Sequence, residues 1–173
     1  TGKLWFRIPE IIRIHLTGMP AEGVLPKDVI LYILGQMKAD GAVYKAIEYT
    51  GEYIEKLDVA GRMVLCNMAV EMGAKTAYMQ PNEAVLSYVK EHHGTDFKVY
   101  ETDPDFVYAE TYTFDISGLR PQVSVPSSVD NTASVEEAGR VRIDQAFLGA
   151  CTGGRLEDIA EAVRILKGKK IAP

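Results

Sequence analysis

The hydrophobic period of this chain changes repeatedly from two to about 3.6 and back, and that alternation restricts the fold more than any other feature. Leu4, Phe6 and Ile8 alternate with Lys3, Trp5 and Arg7, and Ile12, Ile14 and Leu16 alternate with Arg13, His15 and Thr17. Two strands separated by Pro9 are expected. Pro26 suits a first helical position, and Val29, Ile30, Ile33, Leu34 and Met37 follow at helical spacing, with Gly41 as the stop. Residues 44–49 read as a strand. Asp58 then suits the cap of a helix carrying Met63, Val64, Cys66, Met68, Val70 and Met72 before Gly73. That helix is apolar nearly all round, so it should be buried. A short strand at 76–79, a helix at 82–91 with Val85, Leu86 and Val89 on one face, and a longer strand marked by Phe106, Tyr108, Tyr112 and Phe114 complete the series. The order predicts an α/β fold, a three-layer α/β/α arrangement with a mostly parallel sheet.

Between Gly118 and Ser134 the composition shifts to Ser, Pro and Asn. A boundary is expected there, with one α/β/α domain at 1–118 and, at 119–173, a linker and the start of a second such domain. In the second part, 145–149 reads as a buried strand, followed by a turn and a helix defined by Leu156, Ile159, Ala160, Val163 and Leu166. The 173 residues suffice for a sizeable core. The net charge of −5 is mixed along the chain, which argues against a nucleic-acid or anionic-membrane partner and for a small substrate. No apolar run approaches the roughly 20 residues of a membrane span, and no secretory leader opens the chain. A cytoplasmic protein is expected, and the start at Thr1 within a strand pattern points to an excerpt of something longer.

Two stretches carry chemistry. In GACTGGRLEDI, strand, turn and helix would place Cys151 and several free N–H groups at a helix N-terminus, a setting that suits anions and, with Arg155 nearby, the thiolate form of cysteine. Thr152, Gly153, Gly154 and Arg155 are expected to shape the turn or to meet a substrate. Cys151 could then attack carbon, bind iron or fill space, and residue types leave these open. The glycines also fit a phosphate cradle, but no Gly-x-x-x-x-Gly-Lys pattern accompanies them. The second stretch is subtler. Asn67 and Glu71 stand four apart on the helix that looks buried, so Glu71 must be paired, protonated or open to a polar cavity, with Lys75 as the obvious partner. The three histidines lack the spacing of a zinc site, and no Ser/His/Asp set can be assembled.

Taken together, TGKLWFRIPE, residues 26–49, LCNMAVEMGA and ACTGGRLEDI resemble the aconitase superfamily, and within it the large subunits of 3-isopropylmalate dehydratase and homoaconitase. The resemblance spans essentially the whole chain. It implies that Cys151 matches one of three thiolate ligands of a [4Fe–4S] cluster, the other two coming from a Cys-x-x-Cys absent here. It implies that Asn67 and Glu71 face cluster and substrate, favouring the cavity over Lys75. The implied reaction is loss and readdition of water on a hydroxy di- or tricarboxylate in leucine or lysine synthesis, with a separate small, swivelling subunit supplying the base and substrate arginines. The chain departs from the family pattern at Gly153, where asparagine is usual, and at Ala150, where serine is common. One thiolate cannot hold four irons, so this central piece alone should be inactive. The rivals are a free-standing α/β anion-binding domain without a cluster and a thiol enzyme using Cys151.

Overall fold

The computed structural model describes residues 2–170. It divides into two compact units, 1–139 and 140–173.

The first unit is built on β1 (Ile11–Thr17), which pairs in parallel with β2 (Ala46–Thr50) on one side and β4 (Glu110–Asp115) on the other, while β3 (Thr76–Tyr78) extends the sheet beyond β2. Parallel neighbours cannot be joined by tight turns, so each connection carries a helix or a long crossing segment. Helix α1 (Pro26–Met37) links β1 to β2, while α2 (Glu52–Lys56) and α3 (Val59–Met68) link β2 to β3. The strand pleat sends Ile12, Ile14 and Leu16 to one face, all fully buried against Ile30, Ile33 and Leu34 of α1 and Leu65 of α3. The mostly parallel α/β architecture expected from the alternation is present.

Local chemistry fixes the helix starts. The Asp28 carboxylate accepts from the Leu25 N–H at 2.7 Å and from the Gln122 N–H at 2.7 Å, joining the first turn of α1 to a distant segment. Asp58 caps α3 by accepting from the Gly61 N–H at 2.7 Å, as its residue type suggests. The α3 axis then tightens into a 3₁₀ turn (Ala69–Met72) that ends at Gly73 with φ +81°. Gly51 has φ +115°, and a Cβ there would lie 2.0 Å from the Leu16 carbonyl oxygen, so only glycine lets β2 turn into α2 beside β1.

Helix α4 (Glu83–His93) follows β3, and the chain then crosses to the opposite edge to form β4. Thr102 and Tyr108 in this irregular crossing both hydrogen-bond Glu48, which faces away from the helices beside Arg13. The hairpin of β5 (Gln122–Ser124) and β6 (Thr132–Ser134), with the short α5 (Val135–Ala138) after it, packs on α1 so closely that a Cβ on Gly35 would meet the Thr132 hydroxyl. The first compact unit therefore runs past Gly118 to Gly139, because this hairpin docks on α1. The second unit contains α6 (Leu156–Leu166), and none of its described side chains is buried.

Several expectations need correction. Residues 4–8 form no strand, because no neighbour among the described residues pairs with them; β1 begins only after Pro9. Residues 145–149 are likewise irregular, and Phe147 and Leu148 are exposed. Phe106 and Tyr108 precede β4 and belong to the crossing segment. Helix α1 stops at Lys38, before Gly41. Helix α3 and the 3₁₀ turn that continues it are not buried all round, since Met63 and Asn67 of the helix and Val70 and Glu71 of the turn remain exposed.

Leu65→Ala should cost about 2–5 kcal/mol through lost burial and a cavity, whereas Asp58→Ala should cost about 1 kcal/mol through loss of one cap. Urea midpoints measured on the two variants should rank them in that order. Gly51→Ala should destabilise more than Asp58→Ala because it combines the positive φ with the clash at Leu16.

Candidate functional site

The exposed side of α3 is the first candidate. Its opposite side is anchored by Val64, Leu65 and Met68 and by the buried Arg62. Arg62 donates from Nε to the Leu57 carbonyl (3.2 Å), from Nη1 to Gln80 (2.9 Å) and from Nη2 to Ile54 (2.8 Å). This guanidinium ties α2, the start of α3 and the approach to α4 together, and its burial lowers its pKa. With that side locked, Met63, Asn67, Val70 and Glu71 point outward. The side chains of Asn67 and Glu71 make no hydrogen bond or ion pair with any described residue, so donor, acceptor and carboxylate are all available to something else.

The geometry also explains why Lys75 does not neutralise Glu71. Four residues apart on a continuous helix would bring them together, but the 3₁₀ turn and left-handed Gly73 end the helix between them. The Lys75 ammonium instead lies 4.7 Å from the centroid of the Tyr44 ring, a cation–π contact, and its N–H donates to the Lys45 carbonyl at 2.8 Å.

The second candidate is the Cys151 turn, which lies in the other compact unit. Cys151 is exposed. The Gly153 N–H donates to the Ala150 carbonyl at 3.1 Å. A Cβ on Gly154 would lie 2.9 Å from that same oxygen, so glycine is needed at 154, while one on Gly153 would meet nothing within 4 Å. The turn therefore does not require the asparagine-to-glycine change at 153. Thr152 is half-buried beside them. The turn leads straight into α6, as expected. Arg155 is the cap residue and Leu156 the first helical one, and the Arg155 N–H is already taken by the Asp158 carboxylate at 3.0 Å. Glu157 and Asp158 make that first turn acidic, which opposes binding of an external anion there.

Cys66, the other cysteine, sits half-buried at the edge of the core. Burial pushes its thiol pKa up, against the opposing pull of Arg62. Among the described residues no group of three His, Cys, Asp or Glu side chains is placed to hold a metal. The four-iron cluster that the resemblance implies takes three thiolates, of which Cys151 matches one. The described residues therefore do not make a complete cluster site.

One polar cluster escaped the sequence reading. A cavity of about 310 Å³ is lined by Ala46, Glu48, Thr76, Tyr78, Thr102 and Phe106, among others. Glu48 is only 4% exposed. It accepts from the Thr102 hydroxyl (2.8 and 2.9 Å) and from the Tyr108 hydroxyl (3.0 Å), and the Arg13 guanidinium lies 4.9 Å from the Tyr108 ring centroid. Burial, then the bond to Glu48, raises the Tyr108 phenol pKa. The available signal was a carboxylate, Glu48, within the otherwise uncharged strand pattern from Ala46 to Tyr49; the structure sets it beside Arg13 on the face away from the helices. The partners of Glu48 lie 54 and 60 residues downstream, which local periodicity does not reveal.

Comparison with known proteins gives this geometry its context. The family described as Aconitase family (aconitate hydratase) matches residues 1–141. The chain is 48% identical over 171 residues to a protein named probable methanogen homoaconitase large subunit from Methanothermobacter thermautotrophicus, covering 99% of this chain and 40% of that protein. It is 50% identical over 171 residues to 3-isopropylmalate dehydratase large subunit 1 of Methanopyrus kandleri, covering 99% of this chain and 41% of that protein. A bacterial relative, the 3-isopropylmalate dehydratase large subunit of Heliobacterium modesticaldum, is 43% identical over 170 residues, covering 98% of this chain and 40% of that protein. The chain thus spans about two fifths of the length of these curated relatives. With a family match over residues 1–141 and identities near one half along almost its whole length, the chain belongs to the aconitase family.

Proposed function

We propose that this chain is the central part of the large subunit of a [4Fe–4S]-dependent hydro-lyase. It dehydrates and rehydrates a small hydroxy-carboxylate of the 3-isopropylmalate or homocitrate type, in leucine or lysine biosynthesis. The observation that carries the reading is the pair Asn67 and Glu71, unpaired on the outward side of a helix otherwise locked into the core, in a chain whose relatives are named as such subunits. An unpartnered carboxylate and carboxamide one helical turn apart suit a substrate hydroxyl. Glu71 exchanges the proton that accompanies the departing or entering water, and Asn67 orients the same group through its donor and acceptor. The acidic first turn of α6 speaks against a free-standing anion-binding domain.

Cys151 contributes one cluster thiolate, and Thr152, Gly153, Gly154 and Arg155 shape its turn. The other two ligands, the base and most substrate-binding groups come from polypeptide outside this chain. They include a separate small subunit, a partner suggested by the relatives' designation as large subunits. The piece alone should be catalytically silent. A cytoplasmic setting suits such a biosynthetic enzyme, and no helix among the described residues is long and apolar enough to cross a membrane.

In the complete two-subunit enzyme, Glu71→Gln should lower kcat by about 10²–10⁴-fold, the range of a lost acid–base group, with a much smaller change in KM. Wild-type kcat in that variant would refute the catalytic role. Cys151→Ala should abolish the broad visible absorbance of the anaerobically reconstituted cluster while leaving the far-ultraviolet circular dichroism unchanged. Retention of that absorbance would refute the ligand role.

A further inference from the structure

Residues 3–9 are the least explained part of the first unit. Leu4, Phe6 and Ile8 are 85%, 75% and 90% exposed, and Trp5 is 85% exposed. Exposed apolar residues at such density are unusual for a segment that leads into the central strand of a sheet. The backbone is equally unusual. Among the described residues, one hydrogen bond holds this stretch, from the Arg7 N–H to the Tyr44 hydroxyl at 3.3 Å. Sheet pairing begins only at Glu10, whose carbonyl accepts from the Ala46 N–H at 2.8 Å.

Two independent properties therefore coincide. The side chains alternate with the period of a strand, apolar on one face and Lys3, Trp5 and Arg7 on the other, while apart from the Arg7 N–H the backbone donors and acceptors have no partner among the described residues. A solvent-facing loop would show neither the alternation nor the run of large apolar groups.

The geometry points to residues 4–8 as a strand that completes itself by β-addition, pairing with an edge strand from the part of the same subunit that lies outside this chain. This rests on the reading that the chain is part of a longer subunit, supported by relatives about two and a half times its length. The occupant is defined by its chemistry. It offers a free backbone edge, apolar side chains at alternate positions against Leu4, Phe6 and Ile8, and acidic residues toward Lys3 and Arg7. Pro9, which has no N–H, marks where this added pairing stops and the pairing of β1 with β2 and β4 begins.

Hydrogen exchange read by mass spectrometry on peptides covering residues 2–10 tests the assignment. Amides 4–8 should exchange at near-unprotected rates in this 173-residue chain and at least about 100-fold more slowly in the full-length large subunit. Equal, fast exchange in both would overturn it. Phe6→Asp should speed exchange of these amides in the full-length subunit by at least about tenfold, yet leave the unfolding midpoint of this chain unchanged. A lowered midpoint here would mean that Phe6 already packs within the chain and would overturn it too. Trp5 is the only tryptophan, so its emission in this chain should stay that of a water-exposed indole at all protein concentrations. A concentration-dependent blue shift would identify a second copy as the occupant and defeat the proposal. Hydro-lyase activity of the same full-length large subunit, assayed after its cluster is reconstituted and its small subunit is added, separates the two readings: activity without protection refutes the added strand alone, and protection without activity refutes the enzymatic reading alone.

Discussion

Everything in the first unit depends on β1 having a parallel neighbour on each side. A parallel pair cannot be closed by a hairpin, so the chain must cross a face of the sheet after β1, after β2 and after β3. The first two crossings bring α1 and α3 onto the face where Ile12, Ile14 and Leu16 are buried, creating one continuous core. The third runs to the opposite edge of the sheet and brings Thr102 and Tyr108 over Glu48. The outward side of α3 and its 3₁₀ extension, with Asn67 and Glu71, is a consequence of the same arrangement: a helix docked on a sheet buries one side and must offer the other.

Charge inside this unit is handled by hydrogen bonding more than by ion pairing. Arg62 spends its guanidinium on three backbone carbonyls, and Glu48 spends its carboxylate on two hydroxyls. A buried charge unmet by such partners would cost several kcal/mol, so each of these contacts also fixes the position of a segment lacking regular structure. Arg62 fixes the stretch leading to α4, and Glu48 fixes the crossing segment before β4. The ion pair between Lys45 and Glu110 lies at the surface instead, where its main effect is local: it raises the lysine pKa and lowers that of the carboxylate.

Much of this was legible in the sequence because it is local. The Asp58 cap, the Pro26 start and the alternation of Ile12, Ile14 and Leu16 each depend on residues within one or two turns or one strand. The two misread strands share one cause, which is that a strand needs a partner. Residues 4–8 and 145–149 have the composition of strands, yet neither finds a neighbour among the described residues. The helix bearing Glu71 misled in a different way, because its apolar residues Met63 and Val70 suggested burial on a side left open.

By itself, the sequence determined the class of fold, the position of most helices and the residues with chemical potential, since period, caps and side-chain type are properties of short stretches. The resemblance of its blocks then pointed to the family that the comparisons establish. Only the tertiary structure decided that Lys75 turns to Tyr44 instead of Glu71, that Gly153 is free of steric demand while Gly154 is not, and that Glu48 anchors the crossing segment. Each of these depends on where the chain goes after a turn or a crossover, and a change of direction at one glycine is enough to separate residues whose spacing would otherwise pair them.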